Sequence, residues 1–163
     1  MALDEIIKLG DPRLYEACEP VGKNELPQLQ PYIDKMHRLL TEFRSVWKAG
    51  RAIAAPQTGV MKQLIYMHID YPLIFINPVL ENLSNETMEL WDDCMSFPNL
   101  LVRVRRHKSC AIKYRDANWR LQVMNLSGEL SELLQHEYDH LHGILATMRA
   151  TDNKAFRWRE KPE

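Results

Sequence analysis

His136, Glu137 and His140 stand together in "LLQHEYDHLHG", residues 133–143. On a helix the two imidazoles, four residues apart, lie one turn from each other on the same face, so both can reach a single metal ion. Glu137 sits about 100° further round, where it can approach water on such an ion as a general base. Five-residue matches to H-E-x-x-H also arise by chance, and a helix whose histidines merely face solvent is the plain alternative.

A third ligand separates the two readings. Some metalloproteases extend the pattern to H-E-x-x-H-x-x-G-x-x-H; Gly143 matches, but the last position is Ala146, which cannot ligate. Glu160 has the spacing of a glutamate offered by a following helix, yet "RWREKPE" around it has little apolar surface to hold it rigid. His142 points to another side of the helix and reads as solvated. Cys94 remains. A thiolate joined to two imidazoles leaves one tetrahedral position open for water, the arrangement of a catalytic rather than a structural site. Free cysteine is commonly just a small buried residue, but "ELWDDCMSFPN" surrounds this one with acidic and turn residues at a strand end.

Periodicity gives the elements that carry these residues. Over residues 26–48 the apolar side chains Leu29, Ile33, Met36, Leu39, Leu40, Phe43 and Val46 recur at three and four, which predicts an amphipathic helix stopped by Gly50. Residues 63–126 change to short β-rich runs, "QLIYMHI", "LIFI", "NPVLENL", "LLVRVRR", "CAIKY" and "WRLQVMNL". Turn signals divide them at 70–72, 84–86 and 115–118. The helical period returns at about Ser127, with Ser127 or Gly128 as N-cap and Gly143 as the stop. The closing "TDNKAFRWREKPE" has a capping residue and predicts a short helix. The fold class is α+β, with mostly antiparallel sheets around the helix that carries the histidines.

With 163 residues, 45% hydrophobic and 26% charged, the chain has the size of one domain spanning 1–163. A net charge of −1 gives no sign of a nucleic-acid groove or a membrane-surface patch. The densest basic cluster, Arg103, Arg105, Arg106 and Lys108, reads as one solvated face of a strand. Three cysteines, Cys18, Cys94 and Cys110, offer no disulfide framework and suit a reducing cytoplasm. "MALDEIIKLGDP" lacks the basic and apolar regions of a secretory signal, and no apolar run approaches the ~20 residues of a membrane helix.

The chain resembles the peptide deformylases. That family carries three motifs in order, G-h-G-h-A-A-x-Q, E-G-C-h-S and Q-H-E-x-D-H-h-x-G, where h is apolar. Here they stand as "GRAIAAPQ" (50–57), "DDCMS" (92–96) and "QHEYDHLHG" (135–143), and "IIKLGDPRLYEACEPV" and "LIFINPVL" also look like family segments. The resemblance implies a deformylase-like fold and Cys94, His136 and His140 as ligands of one divalent metal, Fe²⁺ first, with Zn²⁺, Ni²⁺ and Co²⁺ also compatible. It implies Glu137 as acid/base and Gln57 as oxyanion donor, assisted by the backbone N–H of Met95. The implied reaction is attack of metal hydroxide on the formyl carbon of N-terminal formyl-methionine in nascent peptides, which brings contact with the ribosome into view. The implied substrate surroundings are Gly50, Arg51, Ala52, Ile53, Asp93, Glu129, Glu132 and Leu133.

Several residues depart from the family pattern. Arg51 replaces an apolar residue and Ala52 the second glycine of the first motif, while Asp92 and Asp93 replace Glu and Gly in the second. The family acid at Asp92 pairs with an arginine, and ungapped counting brings Arg106 to that place. Asp93 puts a new carboxylate beside the cysteine. Glu129 and Glu132 lie near the histidine face of the helix, beside a buried stripe of Leu130, Leu133, Leu134 and Leu141. With Arg51 they occupy places that line the methionine pocket in the family. Either their charged heads lie at the rim with the stems covering the pocket, or Arg51 and Glu132 pair to make a charged pocket for a different N-formyl amine or peptide. A non-catalytic binding protein and a metallo-endopeptidase are the remaining alternatives. Retention of Gln57, Cys94, His136, Glu137 and His140 argues against the first, and the missing ligand at Ala146 against the second.

Overall fold

The structure is a computed structural model that describes residues 2–163. Helix α1 is Gln30–Trp47, with Pro31 in its first turn and Met36, Leu39, Leu40, Phe43 and Trp47 buried along one face. It begins later than the periodicity predicts because Pro27 sits in a separate 3₁₀ turn, Lys23–Gln28. It ends at Lys48, which takes the left-handed conformation at φ 54°, two residues before Gly50. Eight strands follow: β1 Ala52–Ala54, β2 Leu64–His68, β3 Pro72–Glu81, β4 Thr87–Asp92, β5 Leu100–His107, β6 Ser109–Arg115, β7 Leu121–Ser127 and, near the end of the chain, β8 Phe156–Trp158. Between β7 and β8 lies helix α2, Glu129–Leu141.

The strands form two sheets of antiparallel pairs, one of order β1-β2-β3-β6-β7 and one of order β4-β5-β8. Side chains alternate across a strand, and over β1, β2 and the first half of β3 both faces of the larger sheet are covered. Ile53, Leu64, Tyr66 and Ile76 pack with the buried face of α1, whereas Ala54, Ile65, Phe75 and Ile112 pack with Leu133, Leu134 and Leu141 of α2. That is why "LIFI" reads as a continuous apolar run rather than an alternating one.

Three sequence expectations are corrected. "LIFI" and the first part of "NPVLENL" are one strand, β3, with a register shift between Ile76 and Val79. Asn77 takes φ 50° there, and its side chain bonds both the N–H and the C=O of Val21 at 2.8 Å. The C-terminal stretch forms no helix: Asp152 caps a turn by accepting from Lys154 N–H at 2.7 Å, and the chain then pairs as β8 with Leu100, Leu101 and Val102. The basic cluster is not one solvated face, since Arg106 lies on the buried side of β5 at 3% exposure while Arg105 faces solvent. All three cysteines are free and buried. Among the described residues no helix is long and apolar enough to cross a membrane.

Candidate metal centre

Helix α2 opens at Gly128, held at φ 57°, with Glu129 and Glu132 in its first turn, where the helix dipole favours acids. Its far end is tied down at Gly143, φ 70°, where a Cβ would meet the carbonyl oxygen of Tyr15 at 2.5 Å. Cys18 N–H donates to Leu141 O at 2.9 Å beside it, so the N-terminal arm fixes the helix end.

One turn apart on this helix, the His136 and His140 rings lie 5.0 Å apart between centroids. Cys94, just beyond β4, faces them with its Sγ 3.4 Å from His140 Nε2. One donor atom from each of the three lies within 4.8 Å of the others, and all three residues are buried. Glu137 Oε2 and His140 Nδ1 are buried without a hydrogen-bond partner in the protein. A thiol and two imidazoles converging beside an unpartnered carboxylate oxygen fit a divalent ion and its water.

The surrounding charges favour a cation there. His136 Nδ1 meets Asp92 Oδ2 at 2.8 Å, which leaves Nε2 as the nitrogen free to ligate. Burial opposes charge on both partners, but the pairing wins. Asp92 is held down at about 2, by His136 and then Arg106, and His136 is raised well above its ordinary value by Asp92 and Cys94. Burial, followed by the His136 charge, keeps His140 well below its usual value. Burial also lifts Glu137 to about 7, outweighing the downward pull of His136 and Arg51.

The Asp92–Arg106 pairing expected from ungapped counting is present at 3.1 Å, and it is buried. It belongs to a chain of contacts absent from the sequence reading: Arg106 also donates to Asp139 at 2.5 Å, and Arg149 grips both oxygens of Asp139 at 2.5 and 2.8 Å. Asp139 lies one turn after His136, so its place in the third motif was the available signal. Gln57 follows Pro56 in a 3₁₀ turn, Ala55–Thr58. Its Oε1 accepts from Ala54 N–H at 3.0 Å, which turns Nε2 toward Cys94 Sγ at 3.5 Å and Ser96 Oγ at 3.1 Å. Ser96 is a further buried partner that sequence reasoning missed.

A cleft of about 380 Å³ opens onto these groups. Its lining includes Cys94, Met95, His136, Glu137 and Gln57, and, among the expected substrate neighbours, Gly50, Arg51, Ala52, Asp93, Glu132 and Leu133. Two expected neighbours lie elsewhere. Ile53 points the other way on β1 and is wholly buried in the core against α1, and the Glu129 side chain is 94% exposed outside the cleft lining. Arg51 Nη2 donates to Glu132 Oε1 at 2.6 Å, so these two charges are paired. Asp93 is paired as well. Arg159, just past β8, donates to it at 2.9 Å and to the Pro98 carbonyl at 2.8 and 3.0 Å, with its guanidinium 5.3 Å from the Trp47 ring. His142 is exposed, its ring hydrogen-bonded to Tyr138 O and packed 4.4 Å from the Tyr138 ring, and is no part of the cluster.

Comparison with known proteins gives one consistent answer. The family model described as polypeptide deformylase matches residues 3–156. The peptide deformylase 1 of Bordetella pertussis is 34% identical over 167 residues, covering 95% of this chain and 92% of the relative. The peptide deformylase of Thermotoga maritima is 30% identical over 153 residues, covering 93% and 90%. Among solved structures, a Synechococcus elongatus peptide deformylase in complex with actinonin superposes with a TM-score of 0.83 at 30% identity, over 91% of this chain and 79% of that one. The Thermotoga maritima structure gives 0.82 at 30% identity, over 90% and 97%.

Proposed function

The chain belongs to the polypeptide deformylase family, and within that family we propose that Cys94, His136 and His140 hold one divalent metal ion beside which Glu137 and Gln57 act. The protein is an enzyme, a metallohydrolase, and the reaction of its family is removal of the formyl group from N-terminal methionine. When bound, a divalent ion acts as a Lewis acid that lets water serve as nucleophile near neutral pH. Glu137, buried beside the cluster with one oxygen unpartnered, accepts a proton from the attacking water. It returns that proton to the amine nitrogen as the C–N bond breaks, so formate and a free amino terminus result. Gln57 Nε2, aimed by the Ala54 N–H, donates to the oxyanion that develops on the formyl oxygen, with the Met95 N–H as second donor. Such a donor contributes ~2.7–4 kcal/mol in other enzymes.

The single observation that carries this reading is the convergence of the thiol and two imidazoles within 4.8 Å, with Cys94 and His136 in the wall of an open cleft. The resident ion in this reading is Fe²⁺; Zn²⁺, Ni²⁺ and Co²⁺ suit the same donors. The chain works as one catalytic domain in the cytoplasm, where three free cysteines persist and formylated chains emerge from ribosomes. The test is formate release from formyl-Met-Ala-Ser by protein prepared anaerobically with Fe²⁺, then chelated, then reloaded. Release that vanishes on chelation and returns on reloading supports the reading, and its absence in the loaded protein defeats it.

A further inference from the structure

Arg51 and Glu132 line the cleft as an ion pair at 2.6 Å, but they do not face it equally. The Glu132 side chain is 11% exposed and the Arg51 side chain 36%, so Arg51 is the more accessible member of the pair. Its only hydrogen bond among the described residues is the one to Glu132; the approach of Nη1 to Glu129 is 4.0 Å, to a carboxylate in open solvent. A guanidinium carries five N–H donors, so Arg51 keeps donors that water satisfies while the cleft is open. The other acids beside the ligands already have their cations, Asp92 in Arg106 and Asp93 in Arg159.

A thioether laid against this guanidinium displaces water and gives back at most a weak acceptor, leaving charged donors unmet. An amide oxygen at the same reach replaces the lost water with a charge-assisted hydrogen bond. A carboxylate does so too, but it competes with Glu132 for the same cation. Resting on the deformylase reading, we propose that this cleft prefers formylated peptides whose first side chain has about the length of methionine and ends in a neutral hydrogen-bond acceptor, as glutamine does. Arg51, seated by Glu132, is the specificity-determining residue.

The test compares kcat/KM for formate release from formyl-Gln-Ala-Ser, formyl-Met-Ala-Ser and the sulfoxide form of the latter, which adds an acceptor at nearly constant shape. The wild type is expected to favour the glutamine and sulfoxide peptides about ten-fold, the scale of one hydrogen bond to a charged group. An Arg51→Leu/Glu132→Leu double variant, which leaves neither charge unpaired, is expected to reverse the order. Calorimetry on metal-free wild type, with the deformylated products Gln-Ala-Ser and Met-Ala-Ser, reads the same order without turnover. A wild-type preference for methionine overturns the proposal, as does an acceptor preference that survives in the folded double variant. No formate from any of the three overturns the deformylase reading and the proposal with it.

Discussion

Asp92 orients His136 through its 2.8 Å contact to Nδ1 and is itself held by Arg106. Asp92→Asn keeps the shape and removes the charge. Metal affinity is expected to fall about 10–100-fold, measured by competition with a chelator, and an unchanged affinity would show that the contact does not support the ligand. Gln57→Ala removes the amide that faces Cys94 while sparing the ligands. The expected loss is about 10²–10³ in kcat at unchanged metal content; a loss confined to KM would deny Gln57 its role at the oxyanion. Legibility among these residues tracked sequence distance. His136, Glu137 and His140 lie within one helical turn and can be read from spacing, and Cys94 is reached by elimination of Ala146 and Glu160. Ser96 meets Gln57 across 39 residues and Asp139 meets Arg106 across 33, contacts that no local pattern encodes.

Helix α2 is positioned from both ends, and its C-terminal anchor is the more demanding. Gly143 combines φ 70° with a 2.5 Å approach of its would-be Cβ to the Tyr15 backbone. Neither the left-handed angle nor a backbone neighbour yields to a side chain. Gly143→Ala is expected to cost about 2 kcal/mol or more in urea unfolding, and a cost near zero would mean that the arm moves aside freely. At the other rim, Arg159 ties β8 to Asp93, Pro98 and Trp47. Its removal in Arg159→Ala is expected to lower stability by about 1 kcal/mol, since its charge partner is partly solvated. Both long helices were legible because an apolar face repeated over several turns. Strands β1 and β8 were not, because three residues carry too little period. The cap signal at Asp152 was real, but it closes a turn, and pairing with the distant β5 makes Phe156–Trp158 a strand.

The proposed metal ligands come from two parts of the molecule. Cys94 comes just after β4 of the smaller sheet, and both histidines ride on α2, which packs against the larger one. An ion there binds the folded arrangement and not the unfolded chain, so chelation is expected to lower the melting temperature and added metal to restore it. The thiols provide a separate readout. Burial raises Cys18 to about 11, so at pH 8 only about one part in a thousand is thiolate, and burial raises Cys110 too. Only Cys94 lines the cleft. One of the three thiols is therefore expected to react with a disulfide reagent after chelation and none before; reaction of Cys18 at the same rate would contradict its burial. The proton-carrying role of Glu137 at the metal centre is decided on Glu137→Gln, with metal per chain and formate release from formyl-Met-Ala-Ser recorded on one sample. One bound metal with release reduced by about 10²–10⁴ is expected if Glu137 carries the proton. Release at the wild-type rate with the metal in place would contradict it.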